Sequence, residues 1–223
     1  MPLKAFNEKG ESDTALVAAA LQYAIDNGAD IINMSFVGLA DSADLENKIK
    51  EAYEKGILLV AAAGRENGGN EAINLDVEKS YPVCSGGPNN ENWVLGVAAI
   101  DEGDKKTHFS NYGKDCIDIA APGVGIYSVF FQDSSNDEFK KYFGGPVSGT
   151  SVAAPQISGV AALIKSLHPN YPNKDLAQVL LDTADNNTLA KQIADETSVM
   201  IVADLHLESL TEGAPAATYI DMM

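Results

Sequence analysis

The stretch "GPVSGTSVAAPQISG", residues 145–159, places Ser151 directly after Gly149 and Thr150 and ahead of a run that reads as helix. A nucleophilic serine needs exposure on a tight turn, backbone N–H groups that can hold an oxyanion, and a base within hydrogen-bond reach. This stretch offers the first two, because glycine permits close backbone approach and a helix N-terminus presents N–H groups and a positive dipole end. Ser151 is therefore a candidate nucleophile; the alternative is that it merely caps the helix.

None of the three histidines is placed by the sequence to activate this serine. His168 follows the far end of the helix that begins at Ser151, and at 1.5 Å per residue it lies about 25 Å away. His108 falls in a strand-and-turn region, and His206 falls in a stretch of weak periodicity. Since a base must reach hydrogen-bond distance, the chain presents a candidate nucleophile without an evident base.

The first half of the chain alternates short apolar runs with amphipathic stretches. "TALVAAALQYAIDNG" predicts a helix that Asp13 or Ser12 caps and Gly28 ends, and "ADLENKIKEAYEKG" predicts a second helix that Gly56 stops. "LKAF", "ADIINMSF" and "ILLVAAA" read as strands, the last two as buried ones. The first helix should bury a face formed by Leu16, Ala20, Ala24 and Ile25.

The second half of the chain supplies a further strand, a region rich in loops and two more helices. "WVLGVAAI" reads as a strand, "CIDIAAPG" and "GIYSVF" follow with glycine and proline punctuation in a region where loops dominate, and "SSNDEFKKYFGG" is compatible with a hairpin. Helices are predicted from Thr150 or Ser151 to about Leu167, with Pro155 in the first turn, and over "NKDLAQVLLDTAD". The β-α-β-α-β order with near-continuous apolar strands predicts an α/β fold: a parallel sheet flanked by helices.

Charge and cysteine content exclude some classes of function. The formal net charge of −17 repels phosphate backbones and anionic lipid, so nucleic acid is not an expected partner. No apolar run reaches the ~18 residues that span a membrane. The two cysteines, Cys84 and Cys116, are too few for a disulfide framework; they pair only if the fold brings them together, and free thiols are the expectation favoured here.

The string "SGTSVAAPQISGVAALIKSLHP" resembles the nucleophile segment of the subtilisin-like serine proteases, the subtilases or peptidase S8 family, whose signature is Gly-Thr-Ser-x-Ala-x-Pro. The resemblance runs over about residues 3–185 and implies the family's three-layer fold. Residues 1–186 are thus expected to form a partial subtilase catalytic domain. Residues 187–223 are a tail of uncertain structure, expected to pack on the same domain.

The resemblance implies a serine endopeptidase that hydrolyses peptide bonds through an acyl-enzyme on Ser151. Subtilases order their triad as Asp, His and Ser along the chain, so both partners are expected to precede this segment, in a missing N-terminal part of the same domain. The chain alone is therefore expected to be inactive or nearly so, and its cut parallel sheet to expose an edge. The alternative is a catalytically degenerate, peptide-binding pseudoprotease.

Arg65 marks a departure from the family. After "AAAG" the family has an asparagine whose side chain donates to the oxyanion, whereas "AAAGRENGG" places Arg65 there and Asn67 two residues later. Three explanations stay open: Arg65 donates with its guanidinium, Asn67 fills the oxyanion hole through a shifted loop, or the site is degenerate. In subtilisin, loss of the donor asparagine lowers turnover by a factor of ~10²–10³.

The resemblance also implies two extended edges that pair with a polypeptide substrate, and a specificity pocket lined by small residues. No cofactor is required for this chemistry. A structural calcium ion is an open alternative without a located site, so metal-binding residues stay unknown. For the parent protein the family implies an extracellular or periplasmic location. The residues expected to bind substrate are Gly10, Glu11 and Ser12 on one edge, Ser35, Phe36, Val37 and Gly38 on the other, and Ala62, Ala63 and Gly64 at the pocket.

Overall fold

A parallel sheet flanked by helices forms the centre of the computed structural model, which describes residues 1–7, 9–38, 42–65, 72–87, 91–129, 135, 143–184, 200–201 and 219–222. Within these ranges the main sheet has six strands in the order β10-β1-β2-β5-β6-β9, and all of its pairings are parallel. The predicted α/β fold is confirmed. Its strands are β1 (Ile31–Met34), β2 (Leu58–Ala62), β5 (Leu95–Ile100), β6 (Ile119–Pro122), β9 (Met200–Ile201) and β10 (Tyr219–Met222).

Two small antiparallel pairs and four helices complete the described part of the chain. The pairs are β3 (Gly86–Gly87) with β4 (Glu91–Asn92) and β7 (Ile126–Val129) with β8 (Phe143–Val147). Most of the predicted hairpin segment "SSNDEFKKYFGG" lies outside the described residues. The helices are α1 (Thr14–Asp26), α2 (Ala43–Glu54), α3 (Thr150–Leu167) and α4 (Asn173–Thr183).

Alternate residues of each central strand belong to opposite cores, as the two-residue period of a strand requires. In β2, Leu59 and Ala61 face the core shared with α1 and α2, whereas Leu58 and Val60 face the core shared with α3 and α4. All five residues of β2 are buried. The sheet is therefore covered by helices on both faces. The loops that follow the strands lie at its carboxyl edge.

The first helix begins where the sequence predicts and turns the predicted face to the core except at Leu16. The Asp13 carboxylate accepts the Leu16 N–H at 2.7 Å, which is the predicted N-cap, and Gly28 ends the helix at a φ of +70°. Leu16, expected on the buried face, is 48% exposed. Its neighbour Val17 is buried instead, because the stripe runs through Val17, Leu21 and Ala24.

Residues 3–6, predicted as a strand, do not join the main sheet. Ala5 is nevertheless fully buried, and Leu3 and Phe6 pack against the same core. The edge of β1 is paired with β10, so β10 rather than β1 is the outer strand on that side of the described sheet. The tail expected to pack on the domain thus contributes β9 and β10 to the main sheet, one at each outer position.

The two cysteines form a disulfide, so the expectation of free thiols is wrong. Their Cα atoms lie 4.8 Å apart, across a sequence separation of 32 residues. Gly96 in β5 explains the approach: a Cβ there would stand 1.9 Å from the Cys116 carbonyl oxygen and 2.9 Å from the Val83 Cγ2. A glycine in β5 lets both cysteine-bearing segments lie over the same strand, which the spacing of the cysteines along the chain does not reveal.

Reduction of the Cys84–Cys116 disulfide should lower the free energy of unfolding by about 3–4 kcal/mol, because it frees a long loop in the unfolded chain. Urea unfolding with and without reductant measures the difference. The double variant Cys84→Ala/Cys116→Ala is the control and should unfold at the same urea concentration in both buffers. If the parent chain were equally stable with and without reductant, the Cys84–Cys116 disulfide would be contradicted.

Candidate active site

Ser151 is exposed and is the second residue of α3, at the carboxyl edge of the sheet. Gly149 is the N-cap of the helix, and its N–H donates to the Gly123 carbonyl at 2.9 Å. A Cβ at position 149 would lie 3.0 Å from the Ser151 Oγ, so the glycine leaves room beside the hydroxyl. The arrangement presents the hydroxyl next to the N–H groups of a helix N-terminus, which favour developing negative charge.

A buried hydrogen bond joins this helix start to the loop that follows β2. The Gly64 N–H donates to the Thr150 Oγ1 at 3.0 Å, and Thr150 is only 6% exposed. Gly64 has a φ of +80°, and a Cβ there would stand 2.9 Å from the Val37 Cγ1. A side chain at position 64 is thus excluded both by backbone conformation and by space.

Asn111 holds the same loop from its other side. The Asn111 Nδ2 donates to the Ala63 carbonyl at 3.1 Å, and the Asn111 backbone N–H donates to the Gly64 carbonyl at 3.1 Å. The Asn111 Oδ1 accepts the Ile73 N–H at 3.1 Å. The loop is therefore fixed by a buried amide on one side and by Thr150 on the other.

Pro155 is the sixth residue of α3, not part of its first turn as expected. Proline has no N–H, so the Ser151 carbonyl lacks the helical donor four residues ahead. The Ser35 Oγ lies 2.9 Å from that carbonyl oxygen and donates to it instead. The Asn33 Nδ2 in turn donates to the Ser35 Oγ at 2.8 Å, so a chain of hydrogen bonds links the buried end of β1 to Ser151.

Three segments therefore meet at Ser151. Ser35 bonds to its carbonyl, Thr150 binds the residue-64 turn, and Val37 packs against Gly64. Arg65 follows that turn and is exposed. Asn67, the alternative oxyanion donor, lies outside the described residues.

The predicted substrate edge at residues 35–38 is partly engaged within the protein. Phe36 is half-buried, and its ring lies 5.1 Å from the Phe6 ring between centroids. The Gly38 N–H donates to the Tyr81 carbonyl at 2.7 Å, and the Gly38 carbonyl accepts the Tyr81 N–H at 2.8 Å. The Gly38 N–H is thus already taken, which leaves peptide pairing on this segment to the residues that precede it.

The other predicted edge, residues 10–12, lies in a turn that closes on itself. The Asn7 N–H donates to the Glu11 carbonyl at 2.9 Å, and the Asn7 Oδ1 accepts the Glu11 N–H at 3.0 Å. Gly10 has a φ of +74°, and the Ser12 Oγ donates to the Ala5 carbonyl. At the predicted specificity pocket, Ala62, Ala63 and Gly64 are all buried.

The two histidines in the described part of the chain make no hydrogen bond to Ser151 there. His108 is exposed and its ring packs edge-on against Phe109 at 5.5 Å. His168 is the C-cap of α3 and stacks on Tyr171 at 4.5 Å, which leaves the length of the helix between it and Ser151. His206 lies outside the described residues. No base for the serine is therefore assigned among His108 and His168.

A separate cleft of about 210 Å³ lies at the opposite, amino edge of the sheet. It includes the first residues of β2 and β5 and the start of α4. Asp118 lines it and accepts hydrogen bonds from the Gly96 N–H at 2.8 Å and from the Asn92 Nδ2. Burial raises the pKa of Asp118 to about 6, against which these hydrogen bonds act. Ser151 and the residue-64 turn are not among the residues that line this cleft.

Two findings bear on the predicted cofactors and partners. Over the described ranges, no group of three or more His, Cys, Asp and Glu side chains is arranged to hold a metal ion. None of the described helices combines the length and hydropathy needed to cross a bilayer.

A family model described as the subtilase family, peptidase S8, matches residues 1–199. The chain belongs to the subtilase family. The matched range includes both the glycine-threonine-serine turn at the start of α3 and the loop that Thr150 anchors.

Individual relatives agree with this assignment. The subtilase chain is 37% identical over 182 residues to the thermostable alkaline protease of Halalkalibacterium halodurans, covering 82% of this chain and 44% of that protein. It is 30% identical over 184 residues to subtilisin DY of Bacillus licheniformis, covering 82% of this chain and 60% of that protein. The chain thus spans about half the length of these curated relatives.

A solved structure titled as a cold adapted subtilisin-like serine proteinase superposes with a TM-score of 0.71. It is 24% identical, and the match covers 90% of this chain and 65% of that one. At this level of identity the likeness shows the fold, and it agrees with the parallel sheet and flanking helices of this subtilase.

Sequence reasoning singled out Ser151 and the loop after β2 but missed the residues that hold them together. Thr150 carries the hydrogen bond to Gly64, Asn33 is fully buried, and Ser158 lies 3.1 Å from the Asn33 Oδ1. A signal was present in Asn33, because a polar residue inside an otherwise apolar buried strand needs hydrogen-bond partners. One of these partners, Ser158, comes from a helix 125 residues later, which no local pattern indicates.

Replacing Thr150 with Val should lower the free energy of unfolding by about 1–3 kcal/mol, because the Gly64 N–H is left buried without its acceptor. Urea denaturation measures this. Thr150→Ser keeps the hydroxyl and is the matched control. Equal unfolding midpoints for the Val and Ser variants would show that the hydroxyl does not hold the turn.

Proposed function

We propose that this chain carries the nucleophile and part of the oxyanion site of a subtilase that hydrolyses peptide bonds through an acyl-enzyme on Ser151. The observation that carries the proposal is the buried Gly64–Thr150 hydrogen bond, which holds an exposed serine at a helix N-terminus beside the loop of Arg65. Family membership supports serine endopeptidase chemistry in general.

In the proposed reaction the Ser151 Oγ attacks the peptide carbonyl carbon while a base takes the hydroxyl proton. The carbonyl oxygen becomes an oxyanion, which N–H donors at the start of α3 and a donor from the residue-65 loop stabilise. The protonated base gives its proton to the leaving amine, and water then releases the acyl group from Ser151. Because neither His108 nor His168 bonds to Ser151, we expect this chain alone to turn over peptide bonds negligibly.

The proposed substrate is an extended polypeptide. Ser35, Phe36 and Val37 run beside Ser151 and the residue-64 turn, and we expect peptide backbone to pair along them. The residues at Ala62, Ala63 and Gly64 are small, which favours a sizeable apolar side chain in the adjoining pocket. We do not propose that residues 10–12 pair with the substrate backbone, because the Glu11 N–H and carbonyl are both hydrogen-bonded to Asn7. In this proposal they form only a loop opposite residues 35–37.

A second candidate function is peptide binding without cleavage. Arg65 favours it, because a long cationic side chain occupies the position from which the family's asparagine donates to the oxyanion. An arginine at this point crowds a site built for an amide. Retained peptide affinity with no covalent chemistry at Ser151 is the property that separates this candidate from the first.

The proposed setting is an oxidising compartment, outside the cell or in a periplasm. The Cys84–Cys116 disulfide supports it, because such bonds persist where thiols are not kept reduced. We propose no cofactor for the reaction itself, and a structural calcium ion stays a proposal without assigned ligands. The further proposed partner is a polypeptide segment that supplies the base.

Incubation with a fluorophosphonate, with imidazole added as a substitute base, should attach the phosphonate to Ser151. Peptide mapping by mass spectrometry identifies the modified residue. The Ser151→Ala variant should lose the adduct, whereas Ser148→Ala, which removes another exposed hydroxyl three residues away, should keep it. An adduct spread over several serines, or none in the parent chain, would contradict a nucleophilic role for Ser151.

Replacing Arg65 with Asn should raise the rate of phosphonate attachment by about 10²-fold, because it restores an amide donor at the oxyanion position. The Arg65→Ala variant controls for removal of charge and bulk, and should give a smaller gain. Stopped-time mass spectrometry measures both rates. A rate with Asn no higher than with Ala would favour the degenerate, peptide-binding alternative.

A further inference from the structure

The cleft at the amino edge of the sheet has the composition of a site for a small molecule. It holds about 210 Å³, and its apolar and aromatic walls include Tyr53, Leu58, Trp93, Leu95 and Ala177. Sites for small ligands combine such walls with a few polar groups at fixed positions. The volume is below the ~300–1,000 Å³ of sites for drug-sized molecules, so the ligand that fits is a single ring or short chain with one polar group.

The carboxylate of Asp118 lines this cleft and has no cationic partner among the described residues. It accepts the Gly96 N–H at 2.8 Å and the Asn92 Nδ2 at 3.0 and 3.1 Å, and no ion pair in the described part of the chain includes it. A carboxylate accepts about four hydrogen bonds, so these neutral donors leave room for another. A largely buried carboxylate without a countercharge is costly unless it is protonated or meets a cation.

The other charged groups at this cleft already have partners. The Lys174 Nζ, at the start of α4, lies 3.7 Å from the Glu91 Oε1 of β4 and 5.1 Å from the centroid of the Tyr53 ring. The Tyr53 hydroxyl of α2 donates to the same Glu91 oxygen at 3.2 Å. Lys50, also on α2, pairs within its own helix. The negative charge of Asp118 is therefore the one that these neighbours leave without a countercharge.

We propose that this cleft binds a small organic amine in its protonated form, with the ammonium group donating to the Asp118 carboxylate and the apolar body lying against Tyr53, Trp93 and Ala177. A charge-assisted hydrogen bond to a carboxylate is among the stronger ones, and aromatic faces attract cations. An organic cation suits the cleft better than a metal ion does, because no three metal-ligating side chains converge there within the described ranges. The site is independent of the chemistry proposed at Ser151.

The first test uses the fluorescence of Trp93, which is the single tryptophan of the chain and lines the cleft. Benzylamine is the probe, and benzyl alcohol, which has the same ring and a neutral hydroxyl, is the matched control. At about pH 8, benzylamine should change the fluorescence to saturation, and benzyl alcohol should need at least about tenfold more for half-saturation. The absence of a saturable change with benzylamine, or equal half-saturation by the two compounds, overturns the proposal.

The second test follows the same titration as a function of pH. Burial raises the pKa of Asp118 to about 6, so this carboxyl is ionised at about pH 8 and mostly neutral at about pH 5. Benzylamine stays protonated over the whole range. The concentration of benzylamine that gives half-saturation should therefore rise about tenfold as the pH falls from 8 to 5. The same affinity at both pH values contradicts binding to the Asp118 carboxylate.

Substitutions separate the charge of the site from its space. Asp118→Asn keeps the size of the side chain and an acceptor for the Gly96 N–H, and should weaken benzylamine binding at least about tenfold and remove most of its pH dependence. Asp115→Asn changes an exposed carboxylate three residues earlier and should match the parent chain.

Ala177→Met leaves the carboxylate in place and fills the cleft, so it should abolish the response to benzylamine. This variant is an independent readout if Asp118→Asn does not fold. Binding by either variant with the affinity and pH dependence of the parent chain overturns the proposal.

Discussion

The candidate site depends on one hydrogen bond, from the Gly64 N–H to the Thr150 Oγ1. It is buried and joins segments that are 86 residues apart in sequence. On one side it fixes the turn that carries Arg65, and on the other it fixes the first residue of the helix that presents Ser151. Because Gly64 has a positive φ and Val37 fills the space where its side chain would be, the turn has little freedom to adjust. The geometry of the nucleophile relative to the oxyanion loop therefore follows from this contact.

Small residues allow α3 and the sheet to pack closely enough for the Gly64–Thr150 hydrogen bond to form. Ala153 and Ala154 in the first turns of α3 are fully buried, and they belong to the same core cluster as Ala62 and Ala99 of the sheet. Larger side chains at these positions would hold the helix away from the strands and lengthen the Gly64–Thr150 hydrogen bond. Pro155 contributes in a different way, because it frees the Ser151 carbonyl from the helix and makes it available to Ser35. The residues that follow the serine therefore help to position it, in addition to forming the helix.

The sequence predicts the parts of this structure that local patterns determine. The four helices, the Asp13 cap, the glycine stops and the buried strands follow from apolar periodicity and from capping preferences. Residues 3–6 have the composition of a strand but find no partner in the described sheet, which no local rule reveals. The disulfide, the pairing of β10 with β1 and the Asn33–Ser158 contact join segments that are distant in sequence. Such contacts depend on which segments the sheet order brings together, and that order is not encoded in any single stretch.

The direction in which an oxyanion at Ser151 points is the central claim about this site. A crystal structure of the chain after phosphonate attachment tests it directly, since the phosphoryl oxygen stands in for the oxyanion of the reaction. We predict that this oxygen lies within hydrogen-bond distance of the N–H groups at the start of α3 and faces the loop of residues 64 and 65. A phosphoryl oxygen turned away from that loop into solvent, with the Gly64–Thr150 hydrogen bond broken, would contradict the claim.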